Sequence, residues 1–526
     1  MDLTRLIDGL GIQVASGDPG PLRVLDVTED SRTAMPGSLF VARRGLESDG
    51  RAFAADAVDA GAVAVLTDDP DVIDNLDACV LTASELAGTA ARLAERFYGD
   101  PSGSLFVVGV TGTNGKTTVA HLAHRLLNAA GVRTGLVGTV DIDDGRERAP
   151  ASMTTPPALE LSRTLGVMVE SGCRAAIMEV SSHALDQGRV DAVAFDAGVF
   201  TNLSGDHLDY HGSMDAYASA KRRLFEIVDA RGGVSIVNGH DERAGWIAGS
   251  KPEFCWMNEN PSGESAADEA AFDEPGWSVS IGDRAGKAMR LSFDGPWPGG
   301  PLTTWVELIG DHNAMNTLEA LAAAWHAMVD LGVDPGHARE KLGRGLTLLT
   351  PPRGRLEIVS GDVDLVTVAI DFAHTDDALR HALLAAKGMV PEGRELWVVF
   401  GAGGERDTKK RPRMGAVASE LADRLIVTSD NPRRETPSAI ISDIVGGIPK
   451  DRHVAMDVQA DRERAIEAAV RRASPGDVIV IAGKGHETEQ LLPGPVGEIV
   501  RRAFDDREHA QRALASRRSV HEAKPA

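Results

Sequence analysis

Residues 104–118, SLFVVGVTGTNGKTT, constrain the fold more than any other stretch of this chain. Leu105–Val110 is an apolar, partly β-branched run that reads as a buried parallel strand. A loop of Thr, Gly and Asn follows. Lys116-Thr117-Thr118 then opens a segment in which Val119, Leu122, Ala123, Leu126, Leu127 and Ala130 recur at helical spacing, and Gly131 ends it. Strand, glycine loop, lysine, hydroxyl, helix is a phosphate cradle. The N–H groups of Gly112, Thr113, Asn114 and Gly115 and the helix N-terminus face an anion, Lys116 reaches its terminal phosphates, and the hydroxyl of Thr117, ahead of Thr118, is placed to ligate Mg²⁺. The common pattern G-x-x-x-x-G-K-[ST] would need glycine at 110, where this chain has Val110; the first loop glycine is Gly112. A bare glycine turn between a core strand and a core helix is the plainer reading, and the strand–helix context disfavours it.

The 526 residues imply roughly three domains, divided here as 1–102, 103–350 and 351–526. A hydrophobic fraction of 43% suffices for several cores. The net charge of −23 argues against a nucleic-acid or membrane-surface binder, so phosphate must be held by a local basic site. Cys79, Cys173 and Cys255 are scattered without metal spacing, which fits a reducing cytoplasm. No run of about 18 apolar residues occurs. A soluble cytoplasmic monomer is expected.

Residues 1–102 read as a small α/β domain, with apolar runs at Leu22–Val27, Ser38–Ala42, Ala62–Thr67 and Ala78–Thr82 and helices near 51–60 and 84–98. Ser31 alone is a turn residue. In 103–350, strands at 104–110, 132–140, 175–180, 196–202 and 233–238 alternate with helices, the signature of a doubly wound parallel sheet whose ligands sit at the strands' carboxyl ends. Thr154-Thr155-Pro156 in isolation reads as a helix cap. Glu179 ends an otherwise apolar strand, where a carboxylate is costly to bury unpaired; Mg²⁺ beside the phosphate loop is its best partner. The loop NLSGDHLDYHG (202–212) gathers polar groups around His207, a candidate ligand for a second divalent ion. Lys221, fourteen residues on, is by itself an ordinary surface lysine. Residues 257–277 are acidic and rich in Ser, Ala and Pro, an exposed excursion ahead of a β-rich stretch. In 351–526, a Rossmann-like α/β domain, strands at 364–372, 395–401, 424–429, 453–458 and 477–483 end in Asp371-Phe372-Ala373-His374, Gly401 to Asp407, Asp430-Asn431-Pro432-Arg433 and Gly483-Lys484-Gly485-His486-Glu487. On one sheet edge these can form one pocket. The basic tail Ser516–Ala526 is expected to be disordered.

The loop TGTNGKTT resembles that of the Mur ligases and of the related folylpolyglutamate and cyanophycin synthetases. The later motifs extend the resemblance over nearly the whole chain: Asp30-Ser31-Arg32, Asp206 to Gly212 followed by Lys221, Gly310 to Asn316, Arg353 to Glu357 and Asp430 to Arg433. It implies an ATP-dependent amide ligase of peptidoglycan synthesis that uses Mg²⁺ and works through an acyl phosphate. It further implies that Ser31, Thr154, Thr155, Ser181, Gln187 and Arg189 contact a UDP-N-acetylmuramoyl-L-alanyl-D-glutamate substrate, that Asn313 faces adenine, and that Asp371 lies near the ribose. Lys116, Glu179, His207 and Lys221 would be the catalytic set, with metal on Thr117, Glu179, His207 and a carbamylated Lys221. An ammonium about 5 Å from Mg²⁺ would cost roughly 6–7 kcal/mol at an effective dielectric near 20; a carbamate is instead an anionic oxygen ligand suited to a hard cation. Asp430-Asn431-Pro432-Arg433 marks the family members that add meso-diaminopimelate. Arg433 would pair with its distal carboxylate, Arg406 with the other, and Gly483 and Glu487 would take the distal amino group. The family usually has D-Y-A-H-x-P where this chain has Phe372 and Asp376. A folylpolyglutamate-type ligase is disfavoured by the N-terminal domain and by Arg433. A nucleotide-binding protein without chemistry is disfavoured by retention of Lys116, Glu179, His207 and Lys221, and a transport NTPase by the loop spacing.

Overall fold

The computed structural model describes all residues except 46–47, 73–75, 251, 259–275, 453 and 523–526. Three sheets follow one another along the chain. The first has five strands in the order Gln13–Ser16, Cys79–Thr82, Ala64–Thr67, Ser38–Ala42 and Asp26–Thr28, all parallel except the first. Leu86–Phe97 packs its apolar face beneath it, burying Leu86, Ala90, Leu93 and Ala94.

The second sheet has eleven strands. Phe106–Thr111 lies among seven parallel ones, with Ala175–Glu179 on one side and Ala197–Phe200 on the other. All six of its residues are buried, which explains why it reads as a continuous apolar run rather than an alternating one. Gly109 is required by packing, since a Cβ there would lie 2.8 Å from the Phe195 ring and 2.9 Å from Leu224. Helix Lys116–Ala129 leaves this strand through the phosphate loop and lies against helix Asp311–Asp330, whose run of alanines permits close approach. Antiparallel strands finish both edges, Asp141–Asp143 with Arg148–Pro150 on one and Ala288–Asp294 with Leu302–Val306 on the other.

The third sheet has six strands; Thr367–Asp371, Val478–Ala482, Leu396–Phe400, Arg424–Val427 and Ala455–Val458 are parallel, and Glu357–Ile358 is antiparallel at the edge. A hairpin, Glu489–Pro493 with Ile499–Ala503, follows.

The units are tied by specific bonds. Buried Glu95 of the first accepts from Ser102 Oγ at 2.6 Å and from Ser162 Oγ of the second at 2.7 Å. Asp377 of the third accepts from Asn114 Nδ2 at 2.8 Å and from Ser204 Oγ at 3.1 Å.

Two expectations are corrected. Residues 516–522 are not disordered: they continue the helix Asp506–Glu522, whose buried Ala510, Ala513 and Leu514 pack against helix Arg462–Arg472. The ends of the 257–277 excursion are strand, Pro252–Asn258 and Trp277–Ala285, and Trp277 is buried among aromatic side chains; 259–275 lie outside the described residues.

Candidate active site

The phosphate loop holds its shape through two glycines. Gly112 has φ 149° and a Cβ there would lie 1.9 Å from Thr201 Oγ1; Gly115 has φ 87° and a Cβ would lie 2.6 Å from Asn316 Oδ1. Lys116 Nζ donates to the carbonyls of Gly112 and Thr113 at 3.0 and 2.9 Å. Burial lowers its pKa, and the charges of Glu179 and Asp206 work against that shift.

Glu179 is fully buried at the end of its strand. It accepts from Thr117 Oγ1 at 2.9 Å and from the N–H and hydroxyl of Thr139 at 2.6 and 3.0 Å. It is therefore not a solvated strand-end charge. A hydroxyl and a buried carboxylate in contact, both hard oxygen donors beside a phosphate loop, fit Mg²⁺.

Lys221 is fully buried too. Its Nζ donates to Gly112 O at 2.6 Å and sits 4.3 Å from the centre of the Tyr217 ring. Burial, with Lys116 nearby, pushes its pKa far down, which favours the uncharged amine. The reading of Lys221 as a surface lysine is overturned. His207 caps the short helix Leu208–His211 with φ 53°, 3.4 Å from Asp206. Its side chain is 45% exposed; partial desolvation and nearby positive groups lower its pKa against the pull of Asp206, which favours the neutral imidazole. Among the described residues no three His, Cys, Asp or Glu side chains are grouped to hold a metal. Among the described residues Glu179 makes no hydrogen bond or ion pair with His207 or Lys221, so the structure does not itself gather the residues expected to hold a second cation.

On the side facing the first unit, Thr155 Oγ1 donates to Glu179 O at 2.9 Å and accepts from Ser181 N at 3.1 Å, while the Thr154 hydroxyl lies 3.0 Å from Thr139 Oγ1. These hydroxyls do not cap the next helix, whose first turn has no side-chain cap. Arg189 donates to Gln187 Oε1 at 2.6 Å and to Thr155 O at 2.9 Å, and its charge reaches Glu29 and Arg43 of the first unit. Ser31 opens a turn of 3₁₀ helix two residues from Glu29. Ser181 serves as a cap: its hydroxyl accepts from Ala184 N at 3.2 Å.

Two side chains assigned to the nucleotide are engaged within the protein. Asn313 is buried, donating to Ile309 O at 2.8 Å and accepting from Asn316 at 2.9 Å. Asp371 accepts from Leu356 N at 2.7 Å and Ala373 N at 2.8 Å, so it ties the Arg353–Glu357 segment to its own loop.

In the third unit Arg406 and Arg433 flank Gly403. A Cβ on that glycine would lie 3.2 Å from Arg433 Nη1 and 3.8 Å from Arg406 Cγ. Among the described residues no carboxylate lies within ion-pair distance of either guanidinium. Burial and the charge of Arg406 lower the pKa of Arg433. Arg433 has φ 54° and donates Nη1–H to Gly404 O at 2.7 Å. Opposite, Asn431 donates to Glu487 Oε2 at 2.7 Å, and fully buried Lys484 donates to Glu487 Oε2 at 2.7 Å and to Asn431 Oδ1 at 3.0 Å. Gly483, φ 116°, lets Asp430 approach: a Cβ would lie 2.3 Å from Asp430 Oδ2. Pro432 continues this turn, its carbonyl against Gly404.

The residue that sequence reading missed is Arg355. Its Nη2 donates to Thr117 Oγ1 at 2.9 Å and its guanidinium lies 4.8 Å from the Phe372 ring centre. Arg355 lies in the Arg353–Glu357 motif, but nothing in its spacing places it at Thr117. Lys410, at the start of helix Lys410–Leu421, is buried and feels the charges of Asp206 in the second unit and of Asp430 in the third.

The three-sheet fold with its polar clusters at strand ends is that of a ligase that joins an acid to an amine at the expense of ATP, and the chain belongs to the Mur ligase family. The family's catalytic domain matches residues 25–95, the Mur ligase middle domain 110–324, and the Mur ligase glutamate ligase domain 354–485. The family forms amide bonds at the expense of ATP in peptidoglycan synthesis. Among its relatives, the UDP-N-acetylmuramoyl-L-alanyl-D-glutamate–2,6-diaminopimelate ligase of Chlorobaculum tepidum is 39% identical over 98% of this chain and 97% of its own. The protein of that name from Pseudomonas aeruginosa is 39% identical over 94% and 96%. A solved structure of a ligase of that name superposes with a TM-score of 0.65 at 29% identity, covering 98% of this chain and 99% of that one. The MurF ligase of Thermotoga maritima, solved with ADP, shares the fold at a TM-score of 0.59 and 17% identity, covering 95% and 98%.

Proposed function

We propose that the chain joins meso-diaminopimelate to the D-glutamyl carboxylate of UDP-N-acetylmuramoyl-L-alanyl-D-glutamate, using ATP. The observation that carries the choice of amine is the pair Arg406 and Arg433, two guanidinium groups side by side without an ion-pair partner among the described residues, facing the Asp430 and Glu487 carboxylates. Such a pocket suits an amino acid with two carboxylates and two amines. L-Lysine has no distal carboxylate and would bring its ammonium toward Arg433.

ATP lies on Gly112–Thr118, its phosphates facing the loop N–H groups and Lys116. Arg189, with Thr154 and Thr155, directs the substrate's peptide arm to the same strand ends. The glutamyl γ-carboxylate attacks the γ-phosphorus and ADP leaves, giving an acyl phosphate. Lys116 offsets negative charge as it moves from the γ-phosphate to ADP. Thr117 and Glu179 would hold Mg²⁺, and Glu179, His207 and a carbamylated Lys221 would hold a second ion; the metal would supply Lewis-acid polarisation of the phosphoryl oxygens. Arg406 and Arg433 orient the neutral diaminopimelate amine toward the acyl carbon. Attack gives a tetrahedral adduct that loses phosphate and a proton to form the amide. Asp377, through Asn114 and Ser204, keeps the amine-bearing unit against the phosphate loop while this occurs.

Phosphate release with UDP-muramoyl-dipeptide and meso-diaminopimelate, L-lysine or L-ornithine in parallel tests the proposal. Diaminopimelate should exceed the others by about 10- to 100-fold in kcat/KM. Equal use of lysine would refute the assignment of the amine.

A further inference from the structure

Behind the amino-acid pocket lies a charged pair that the mechanism does not use. Arg462 opens helix Arg462–Arg472 and is fully buried. Its Nε and Nη2 form a fork on the Asp506 carboxylate, both at 2.7 Å, and neither side chain is exposed. The same guanidinium donates Nη2–H to Ala482 O at 2.9 Å and Nη1–H to Ser429 O at 3.4 Å. Ala482 ends strand Val478–Ala482 and Ser429 lies two residues past the end of strand Arg424–Val427; the residues that follow them are Gly483 and Asp430. One planar cation thus holds the roots of both loops that line the pocket. The contact it maintains is tight, since Asp430 Oδ2 occupies space that any side chain at 483 would need. The guanidinium also feels the charges of Asp430 and Glu487, so it supplies a positive charge beneath an acidic floor. Gln490 Nε2 supports the same turn by donating to Asp430 O at 2.8 Å.

Stability alone does not account for such a pair. An ion pair fully removed from water gives up hydration on both sides, and apolar residues of similar volume commonly serve as well or better. What apolar residues cannot do is bond at once the carbonyls at the roots of two loops that leave strands separated by Leu396–Phe400.

We infer that Arg462, seated on Asp506, is a positioning residue for the amino-acid substrate: it fixes the spacing of the Asp430 and Gly483 loops and thereby sets affinity for diaminopimelate and its preference over lysine. This rests on the proposed function.

The test is the full-length double variant Arg462→Met/Asp506→Leu, which replaces the pair by apolar groups of comparable volume, with Arg462→Lys as a second variant that keeps the charge but not the fork. Amine-dependent phosphate release is measured with each substrate varied in turn. For the double variant the KM for diaminopimelate should rise about 10- to 100-fold, as expected when a bound group is displaced by about 1 Å. The KM values for ATP and the UDP-dipeptide should stay within about twofold, and the preference over lysine should shrink. Arg462→Lys should give an intermediate rise in the same single KM. If the double variant does not fold, Arg462→Lys alone decides. An unchanged diaminopimelate KM in a folded variant overturns the inference, and so does a parallel change in all three KM values. Wild-type protein inert with diaminopimelate would instead count against the proposed function.

Discussion

Arg433 offers the sharpest quantitative prediction. Its Nη1 is tied to Gly404 O, which leaves the remaining N–H groups of a half-buried guanidinium to grip a carboxylate. Hydrogen bonds to a charged group contribute about 1.5–3 kcal/mol. With about 1.4 kcal/mol per decade, removing them should lower kcat/KM for diaminopimelate about 10- to 150-fold. Arg433→Met isolates that loss. Methionine is unbranched, as arginine is, and carries the same Cβ into the left-handed backbone at φ 54°, so the strain there is common to both proteins. The backbone bond from residue 433 N–H to Leu491 O at 3.0 Å is also retained. Phosphate release is measured for wild type and variant with diaminopimelate and with L-lysine, closing a cycle of two proteins and two substrates. Lysine, having no carboxylate there, should lose no more than about threefold, or gain as like-charge repulsion disappears. Equal losses with both amines would mean that Arg433 supports the loop rather than reading the substrate.

Four further outcomes follow from the geometry. Glu179→Gln keeps the volume but removes the anion on which Thr117 and Thr139 converge, and phosphate release should fall by about 10²- to 10³-fold while UDP-dipeptide binding persists. Gly112→Ala drives a Cβ into Thr201 Oγ1; ATP binding by titration calorimetry should weaken by about 1–3 kcal/mol or more, and undiminished affinity would contradict the close approach. Protein active after growth in ¹³C-bicarbonate should show a carbamate resonance that Lys221→Ala lacks; an unmodified lysine in fully active enzyme would remove the second-ion ligand set. Finally, burial pushes the pKa of His312 down to about 4 and that of His486 to about 3, each helped by neighbouring positive groups. Both are neutral when folded and protonate on unfolding below about pH 6.5. Stability is therefore full above that pH and falls as pH drops toward about 4, by up to about 2.7 kcal/mol per pH unit for two protons. Thermal unfolding should show that slope, roughly halved in His312→Asn, and a flat profile between pH 6.5 and 4.5 would refute it.

Much of this architecture is legible in the sequence because strands covered on both faces are spelled as unbroken apolar runs, as in Phe106–Thr111 and Val478–Ala482. The same is true of Glu179, whose carboxylate in such a run demands a partner. Short or exposed elements carry no such signal. Strand Gln13–Ser16 is exposed throughout, and the hairpin 489–503 is largely so, which is why neither was read. The helical end of the chain gives little signal because its buried side is mostly alanine, while its exposed positions, Arg507, Glu508, Gln511, Arg512, Ala515, Ser516 and Ser519, carry no apolar pattern. At the site, local spelling identified the loops but not what reaches across between them. Arg355 and Thr117 are separated by 238 positions, and Arg462 lies on a helix with no motif to mark it. Asn313 and Asp371 show the converse: motif membership indicates a neighbourhood, whereas the hydrogen bonds of their side chains run to backbone and to Asn316.

The bond from Arg355 to Thr117 has a consequence for how the nucleotide is admitted. The Thr117 hydroxyl, proposed above as a cation ligand, already accepts from a guanidinium delivered from a different part of the chain. An incoming triphosphate with its counter-ion competes with the protein's own arm for that oxygen, and apparent affinity is diluted by the fraction of molecules in which the arm is in place. Once evicted, the guanidinium is left beside polyphosphate, where its charge is welcome, so the same side chain that delays entry then retains the guest.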